Sequence, residues 1–329
     1  KPQGYSPDLK WEQTTTYNVG IDFGFLNNRI NGTIEYYQKH TKDLLNTVSA
    51  PAGTNFTNEI TANVGKMKNK GVEFNINAVA VQTKDFSWDL GYNVTWNTSE
   101  ITQLTASYNP SYPGINAGSA SYDNGAVLQK HQVGSQPSTF WLYQQAYDVD
   151  GNPIQNTMVD RNGDGQITEA DRYMTDKSPM PKVFMGFSSQ FTYKNWDLGF
   201  NLRANFGNYV YNAFAANNST IGNINPSLGY LWNYDECIYR TNFTQVNESI
   251  QRASDYFLEN ASFLKMDNIT LGYSFKKFFT EKISGRISFS VQNVFTITKY
   301  TGLDPECSAI DENLWPNSRT YTLGLNLNF

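Results

Sequence analysis

Apolar and polar side chains alternate along the last nine residues of the chain, YTLGLNLNF (321–329): every odd position is apolar and every even position is small or polar. The same period of two recurs in eight further segments, namely 15–25, 30–36, 72–80, 86–96 and 196–206, with weaker examples at 182–193, 261–275 and 284–297. Because successive side chains of a strand point to opposite faces, the pattern predicts nine strands, each with one apolar and one polar face.

One of the weaker segments changes phase. In 261–275 the apolar positions Leu264 and Met266 are even, whereas Ile269 and Leu271 are odd. A β-bulge near Asp267–Asn268 would move one extra residue into the strand and explain the shift.

The length of the strands favours a membrane barrel over a soluble sandwich. Many of them run for 10 residues or more, whereas strands of soluble proteins average about 5–6 residues and a tilted membrane-spanning strand needs about 9–11. Aromatic residues lie near the strand ends, where the interfacial girdles of outer-membrane barrels form: Tyr17, Phe25, Phe86, Trp96, Trp196, Phe206 and Phe329.

The connections between the strands alternate in length. Short turns are expected at 27–28, 82–85, 194–195 and 276–282, and long loops at about 41–67, 98–181, 209–260 and 298–317. Short periplasmic turns and long extracellular loops are typical of outer-membrane barrels. The predicted fold is therefore an all-β, antiparallel transmembrane barrel, with the odd residues of 321–329 facing lipid.

Nine is an odd number, whereas bacterial single-chain barrels have an even strand count. The chain begins KPQGYSP, without a signal peptide. We therefore expect it to be the C-terminal part of a larger barrel, with a plug domain and further strands upstream.

Composition narrows the function classes. Charged residues make up 17% of the chain, against about 25% in ordinary globular proteins, and aromatic residues make up 15%. No run approaches the roughly 18 apolar residues of a spanning helix. The formal net charge of −5 gives no reason to expect nucleic acid as a partner.

The motif with the clearest chemistry is DRNGDGQITEAD (160–171). It fits the loop pattern of an EF-hand, with Asp160, Asn162 and Asp164 at the first three ligand positions and Gln166 offering its backbone carbonyl. Asp171 stands where Glu is usual, and Gly165 allows the sharp turn. Hard oxygen ligands at this spacing predict a structural Ca²⁺ site within a long loop; the alternative is a turn without metal.

Aromatic residues in the long loops are candidates for stacking on a sugar or holding a peptide. They could equally pack the loops against one another. The candidates are Trp141, Tyr143, Tyr211, Tyr230, Trp232 and Tyr234.

Cys237 and Cys307 both fall in predicted extracellular loops, outside the reducing cytosol, so a disulfide between them is possible. His40 and His131 show neither metal-type spacing nor a suitably spaced nucleophile and are interpreted as ordinary polar residues. The carboxylates on the polar face of the strands are interpreted as lining of the lumen rather than as acid–base pairs: Asp22, Glu35, Glu73, Asp89 and Asp197.

Several segments resemble the barrel of SusC/RagA-like TonB-dependent outer-membrane transporters. They occur in the order of that family and, with the terminal strand, cover nearly the whole chain: 9–45, 63–76, 160–172 (DRNGDGQITEADR), 258–275 (LENASFLKMDNITLGYSF) and 291–306 (VQNVFTITKYTGLDPE). The resemblance implies a plugged barrel of about 22 strands in the outer membrane of a Gram-negative, Bacteroidetes-type bacterium.

The same resemblance implies a function. Such a barrel would import a large nutrient, a glycan or an oligopeptide, with energy relayed by TonB and a SusD-like surface lipoprotein as a lid, and it would not be an enzyme. Two alternatives stay open on the sequence: a passive porin or adhesin barrel, and an outer-membrane barrel enzyme such as a protease or lipase.

Overall fold

The computed structural model describes residues 4, 6–49, 53, 56–109, 111–223, 236–276 and 283–328. Its main feature is one sheet of nine long strands in which each strand pairs antiparallel with the next along the chain. The strands are β1 (Gln13–Phe25), β2 (Ile30–Ser49), β3 (Glu59–Gln82), β4 (Phe86–Gln103), β5 (Val183–Tyr193), β6 (Trp196–Phe206), β7 (Phe263–Lys276), β8 (Ser284–Thr298) and β9 (Thr320–Asn328). They run from 9 to 24 residues, so the prediction of nine long strands is confirmed.

The register of the sheet gathers the apolar positions on one face, here called the apolar face. Ile21 pairs with Ile34, Ile34 with Phe74, Phe74 with Val94 and Val94 with Met185, so five neighbouring strands present one apolar row. Cross-strand partners share a face because the side-chain period of a strand is two.

This apolar face is open to the surroundings. On β9, Leu323 is 77% exposed and Leu325 is 64% exposed. Burial of these two side chains in a compact core would have contradicted the barrel interpretation, and the structure shows the opposite.

The opposite side of the sheet, here called the polar face, carries amide and hydroxyl side chains. Asn31 pairs with Asn77 and Ser188 pairs with Asn201, and the amide of Asn201 donates to the side-chain oxygen of Asn268 at 3.1 Å. These residues line an open depression on the polar face, which therefore offers many hydrogen-bonding groups and few charges.

The phase change in β7 is a bulge, as expected. Between β6 and β7 the pairing shifts from Asn201–Asn268 to Leu202–Met266, so Asp267 has no partner in the ladder. The same residue is skipped in the pairing of β7 with β8. The extra residue returns the apolar side chains to one face on both sides of the bulge.

The ends of the strands form two opposite edges of the wall, which differ in their connections. The connections 26–29, 83–85 and 194–195 are short and lie at one of them, the short-turn edge. The longer connections 50–58, 104–182, 207–262 and 299–319 lie at the other, the long-loop edge. Lys194 adopts a positive φ of 53°, which allows the two-residue turn between β5 and β6. Residues 277–282 of the fourth expected turn lie outside the described residues.

The first long loop was expected at 41–67, and this boundary is wrong. Strands β2 and β3 remain paired beyond Lys42–Lys66, as far as Ser49–Glu59, which leaves 50–58 as the connection. The outer parts of both strands mix polar and apolar residues, and the pairing shifts register on both sides of Leu44, so the period of two is lost although the backbone ladder continues. For the same reason β4 extends to Gln103, beyond the expected loop start at 98.

The other three loops contain short elements of their own. The short strands are Ile115–Asn116, Gln129–His131, Thr139–Leu142, Gln145–Tyr147, Pro153–Met158, Tyr173–Met174, Tyr209–Asn212, Leu258–Asn260 and Ile310–Asp311. The helices are Ala213–Asn218 and Ile238–Thr241, with 3-10 turns at Glu169–Asp171, Ile221–Asn223, Gln251–Ala253 and Asp255–Phe257. Among the residues described, no helix has the length and apolar character required to cross a bilayer.

Candidate functional site in the long loops

The segments 104–182, 207–262 and 299–319, here called the loop assembly, pack against one another around a hydrophobic core. Phe140 and Leu142 of the first segment meet Tyr211 and Phe257 of the second, and Ile310 of the third packs against them. Phe140, Leu142 and Tyr211 are fully buried. The loops therefore form a folded body on one edge of the sheet rather than separate excursions.

Two of the aromatic residues proposed to contact substrate belong to this core. Tyr211 is fully buried and donates a hydrogen bond from its hydroxyl to the backbone carbonyl of Arg252 at 2.9 Å. Tyr143 is also buried. A ring buried in this way cannot stack on a sugar or peptide, so the substrate-binding assignment is wrong for both, and the alternative of loop packing holds.

Trp141 is half-buried and covered by cations. The Lys130 ammonium lies 3.2 Å from the centre of its ring, and the Arg172 guanidinium lies 4.6 Å away. Burial lowers the pKa of Lys130, and the nearby Arg172 lowers it further. The other three aromatic candidates, Tyr230, Trp232 and Tyr234, lie outside the described residues.

Arg252 connects segments that are far apart in the chain. Its guanidinium forms an ion pair with Asp123, with Nε 3.0 Å from a carboxylate oxygen. Its backbone carbonyl accepts the hydroxyl of Tyr122 at 2.7 Å as well as that of Tyr211. Burial is the main reason that the pKa of Tyr122 is raised, so both phenols remain neutral donors at physiological pH.

A buried amide pair joins the same segments. The side-chain amide of Gln145 donates to the carbonyls of Ala146 and Ile154, both at 2.8 Å. Its oxygen accepts from Gln251 at 2.6 Å, and the Gln251 oxygen accepts the backbone amide of Asn156 at 2.7 Å. Both glutamines are buried, and a satisfied polar network of this kind fixes one arrangement of the loops.

The segment 160–171 folds around the side chains that were proposed as metal ligands. The Asp160 carboxylate accepts the backbone amides of Gly163 at 2.6 Å and Gly165 at 2.8 Å, and the Asn162 side chain accepts that of Asp164 at 2.9 Å. Gly165 has a φ of +81°, which confirms the sharp turn expected there.

Asp171 closes this loop from its far end. Its carboxylate accepts the backbone amides of Arg161 at 2.9 Å, Asn162 at 3.3 Å and Thr168 at 2.8 Å, and its side chain is buried. The amide of Thr168 is the main reason that the pKa of Asp171 lies below its ordinary value, and burial opposes that effect.

Whether this loop suits a cation depends on its oxygen atoms. The side chains of Asp160 and Asp171 lie close together and bring carboxylate oxygens from both ends of the loop to one place. The donors are hard oxygens of the kind that Ca²⁺ prefers. However, neither in this loop nor elsewhere do the described residues contain a group of three or more His, Cys, Asp or Glu side chains arranged to hold a metal.

The two cysteines are not joined. Cys237 is buried in the core of the loop assembly, whereas Cys307 packs beside Val210, Ala261 and Tyr300 in a separate small cluster. Burial raises the pKa of Cys307 to about 12, and nearby Asp311 adds to the shift. The possible disulfide is therefore not present, because the two loops place the sulfur atoms in different clusters.

Residues on the polar face of the sheet make local structural contacts. Asp197 forms an ion pair with Arg286, whose Nε lies 3.1 Å from the carboxylate. Glu35 accepts the Asn18 amide at 2.9 Å and stands opposite Glu73 in the ladder. The remaining two carboxylates of the predicted lining, Asp22 and Asp89, occupy strand positions of the same face.

Among the described residues, the side-chain contacts of the two histidines include no Ser, Cys or Asp side chain. His131 accepts the backbone amide of Ser138 on Nδ1 at 3.0 Å, and burial lowers its pKa. His40 lies on the apolar face, 2.7 Å from the side-chain nitrogen of Gln38 and edge-on to the ring of Tyr17.

The family of the chain is decided by a match over residues 2–294 to the family described as TonB dependent receptor-like, beta-barrel. The chain belongs to the TonB-dependent receptor β-barrel family. It is 45% identical, over 336 aligned residues, to TonB-dependent receptor SusC of Bacteroides thetaiotaomicron; the alignment covers 100% of this chain and 33% of that relative. It is 27% identical to TonB-dependent receptor P3 of Formosa agariphila, with 98% of this chain and 34% of the relative covered.

Comparison with solved structures agrees with this family assignment. The structure described as that of the RagAB peptide transporter superposes with a TM-score of 0.75 at 27% identity, and covers 98% of this chain and 36% of that one. The resemblance to SusC/RagA-like receptors is thus confirmed. The chain spans about a third of the length of the relatives that it matches.

Among the described residues of this TonB-dependent receptor barrel, the most exposed aromatic side chains of the loop assembly are not those singled out from the sequence. Trp315 is 85% exposed, Tyr239 is 79% exposed and Tyr108 is 66% exposed. The sequence holds no signal that separates them from the buried aromatics, since their exposure is set by how the three loops pack.

Proposed function

We propose that this chain forms part of an importer in the bacterial outer membrane that takes up a large nutrient, a glycan or an oligopeptide, with energy relayed by TonB. The observation that carries the proposal is the 45% identity, over the whole chain, to TonB-dependent receptor SusC. A solved structure with the same fold is described as a peptide transporter.

A lipid-facing wall is supported by the apolar face of the nine-stranded sheet. Aromatic side chains lie at both ends of β6 and, on β4, at the level of the second of these ends: Trp196 is 48% exposed, Phe206 is 42% exposed and Trp96 is 42% exposed. An exposed apolar surface of this extent requires a non-aqueous neighbour, and lipid is the natural one for long antiparallel strands. The complete barrel would have about 22 strands and hold a plug in its lumen.

The loop assembly is proposed as the surface that meets the substrate and a SusD-like lipoprotein lid. The short turns at the opposite edge offer little surface for recognition, and the apolar face would be covered by lipid. Exposed Trp315, Tyr239 and Tyr108 supply large amphipathic contacts of the kind that dominate binding surfaces.

Calcium is proposed as a structural ion in the loop 160–171. It would be held by Asp160, Asn162, Asp164 and Asp171 together with the backbone carbonyl of Gln166. Its role would be to neutralise the adjacent carboxylates and hold the turn, without contact to the substrate.

Uptake by the full-length receptor tests the proposal. A strain that lacks the receptor gene is complemented with the wild-type gene, with and without a functional TonB, and is supplied with glycan or oligopeptide mixtures as the only carbon source. Growth that requires both the receptor and TonB is expected with one of the two mixtures. Growth that persists without TonB would instead identify a passive porin.

A further inference from the structure

The rows of apolar side chains on the apolar face, here called the apolar band, end on β2 and β3 at Tyr36 and Val72. Beyond them, the outer part of the β2–β3 hairpin carries lysines on the same face. Lys66, Lys68 and Lys70 occupy alternate positions of β3, in phase with Val72 of the same strand, and all three are exposed. Lys42 pairs directly with Lys66 across the hairpin. These four residues, here called the lysine patch, begin at Lys70, two residues beyond the row formed by Tyr36, Val72 and Trp96.

The lysine patch lies apart from the ion pairs formed by the described residues. Within the described part of the chain, none of its four side chains forms an ion pair or a side-chain hydrogen bond. Glu100 pairs with Lys68 in the ladder, but the two charged groups do not reach ion-pair distance. Lysines two residues apart on a strand are separated by about 7 Å, so an unneutralised row of three repels itself.

The position of the patch identifies what it faces. It lies on the same side of the sheet as the apolar band and towards the long-loop edge, so it points sideways from the wall rather than towards the lumen. The polar face differs: its Lys39 lies over the ring of Tyr37 at 4.9 Å. If the apolar band sits in the bilayer, the patch starts at the level of the outer-leaflet headgroups.

We propose that the lysine patch binds the phosphate groups of the glycolipid in the outer leaflet. Ammonium groups beside an apolar surface match a lipid that offers acyl chains and, directly above them, phosphate. Continuity supports this occupant: Tyr36 is 45% exposed and Trp96 is 42% exposed in the adjoining row. Such binding would fix the height of the barrel in the membrane beside its longest hairpin. The inference rests on the proposed outer-membrane location.

The test uses the full-length receptor, purified from its own membrane and exchanged into a non-ionic detergent. The variant K66Q/K68Q/K70Q removes three charges from the patch. The matched control K39Q/K84Q/K194Q removes three charges from exposed lysines on the polar face and in the turns of the opposite edge. Both are titrated with phosphorylated lipid A and with lipid A treated with phosphatase.

The wild type and the control are expected to bind phosphorylated lipid A equally, and the patch variant at least tenfold more weakly, a loss of about 1.4 kcal/mol. Phosphatase-treated lipid A should bind all three proteins alike. Equal affinity of the patch variant and the wild type for phosphorylated lipid A would overturn the proposal. A changed particle mass in light scattering with unchanged lipid affinity would also overturn it, and would identify the patch as a contact with another protein.

Two further measurements keep the outcome clear. K66R/K68R/K70R preserves the charge and is expected to bind as the wild type does. If K66Q/K68Q/K70Q fails to assemble, the single variant K68Q must still weaken binding by at least twofold.

Density fractionation of the wild type reports separately on the proposed function. If the wild type is absent from the outer membrane, the proposed function fails; if it is present and lipid affinity does not depend on the lysines, only this inference fails.

Discussion

Arg203 of β6 and Glu306 of the third loop segment meet across 103 residues of sequence, with Nη2 donating to the carboxylate at 2.6 Å. Arg203 also donates to Asp267, the bulged residue of β7, and Lys265 donates to Glu306 at 2.9 Å. Arg203 and Lys265 lie on the polar face of the sheet, so this contact anchors the third loop segment to the inside of the wall.

Removing the charge of Glu306 should loosen that segment. In Glu306→Gln, we expect the free energy of local opening of residues 299–319 to fall by about 1 kcal/mol, since the pair is part-exposed and partly screened by water. Hydrogen exchange of the full-length receptor measures this. Glu248→Gln is a suitable control, because Glu248 is exposed and its carboxylate has no hydrogen-bond partner among the described residues. Equal exchange in both variants would show that the contact does not hold the loop.

The same contact should make the third loop segment sensitive to acid. Burial raises the pKa of Glu306, but hydrogen bonds from Arg203 and Lys265 outweigh it and bring the pKa below the ordinary value of 4.5. A depressed folded-state pKa gives stability that is complete above about pH 4.5 and is lost as the pH falls through the folded value. Exchange rates of 299–319, corrected for intrinsic rates, should rise below pH 4.5 in the wild type and much less in Glu306→Gln.

Tyr211 distinguishes core packing from substrate binding. Tyr211→Ala should destabilise the loop assembly by about 3–5 kcal/mol, as expected for the loss of a buried ring, and make the loops sensitive to protease. Tyr211→Phe keeps the ring and loses one hydrogen bond, so it should cost about 1 kcal/mol and leave substrate affinity unchanged. A large loss of substrate affinity in Tyr211→Phe, with intact loops, would restore its assignment as a binding residue.

The calcium proposal can be tested by titration. The full-length receptor is expected to bind one Ca²⁺ with a dissociation constant of about 10⁻⁴–10⁻³ M, the range of extracellular sites, and D160A/D164A should abolish that binding. D148A/D150A removes two acids from a neighbouring turn, in which Asp148 accepts the backbone amides of Asp150 and Asn152, and should leave it intact. Unchanged Ca²⁺ binding in D160A/D164A would show that the loop is only a turn.

The variant Trp315→Ala tests whether the loop assembly is the surface that binds the substrate or the lid lipoprotein. Because it is 85% exposed on the loop assembly, Trp315→Ala should not destabilise the fold, yet it should weaken binding of the substrate or the lid lipoprotein by at least tenfold if it anchors that contact. Trp11→Ala is the matched control, since Trp11 is 91% exposed outside the loop assembly. Unchanged affinity for both ligands in Trp315→Ala would exclude this anchor role.

The sequence alone determined the wall of the protein. Alternation of apolar and polar residues is a property of neighbouring positions, so it identified all nine strands, the short-turn edge and even the bulge at Asp267. It failed at the outer ends of β2 and β3, where polar and apolar residues are mixed and register shifts on both sides of Leu44 interrupt the alternation, so their pairing was mistaken for a loop.

Tertiary structure decided everything that depends on contacts between distant segments. The packing of the loops decides that Tyr211 is buried and Trp315 exposed. It also decides that Cys237 does not meet Cys307 and that Arg203 pairs with Glu306. No local period encodes such contacts, because the partners are joined by long irregular segments. Short-range patterns in a strand are fixed by backbone geometry, whereas the arrangement of the loops follows from the joint burial of side chains that are far apart in the chain.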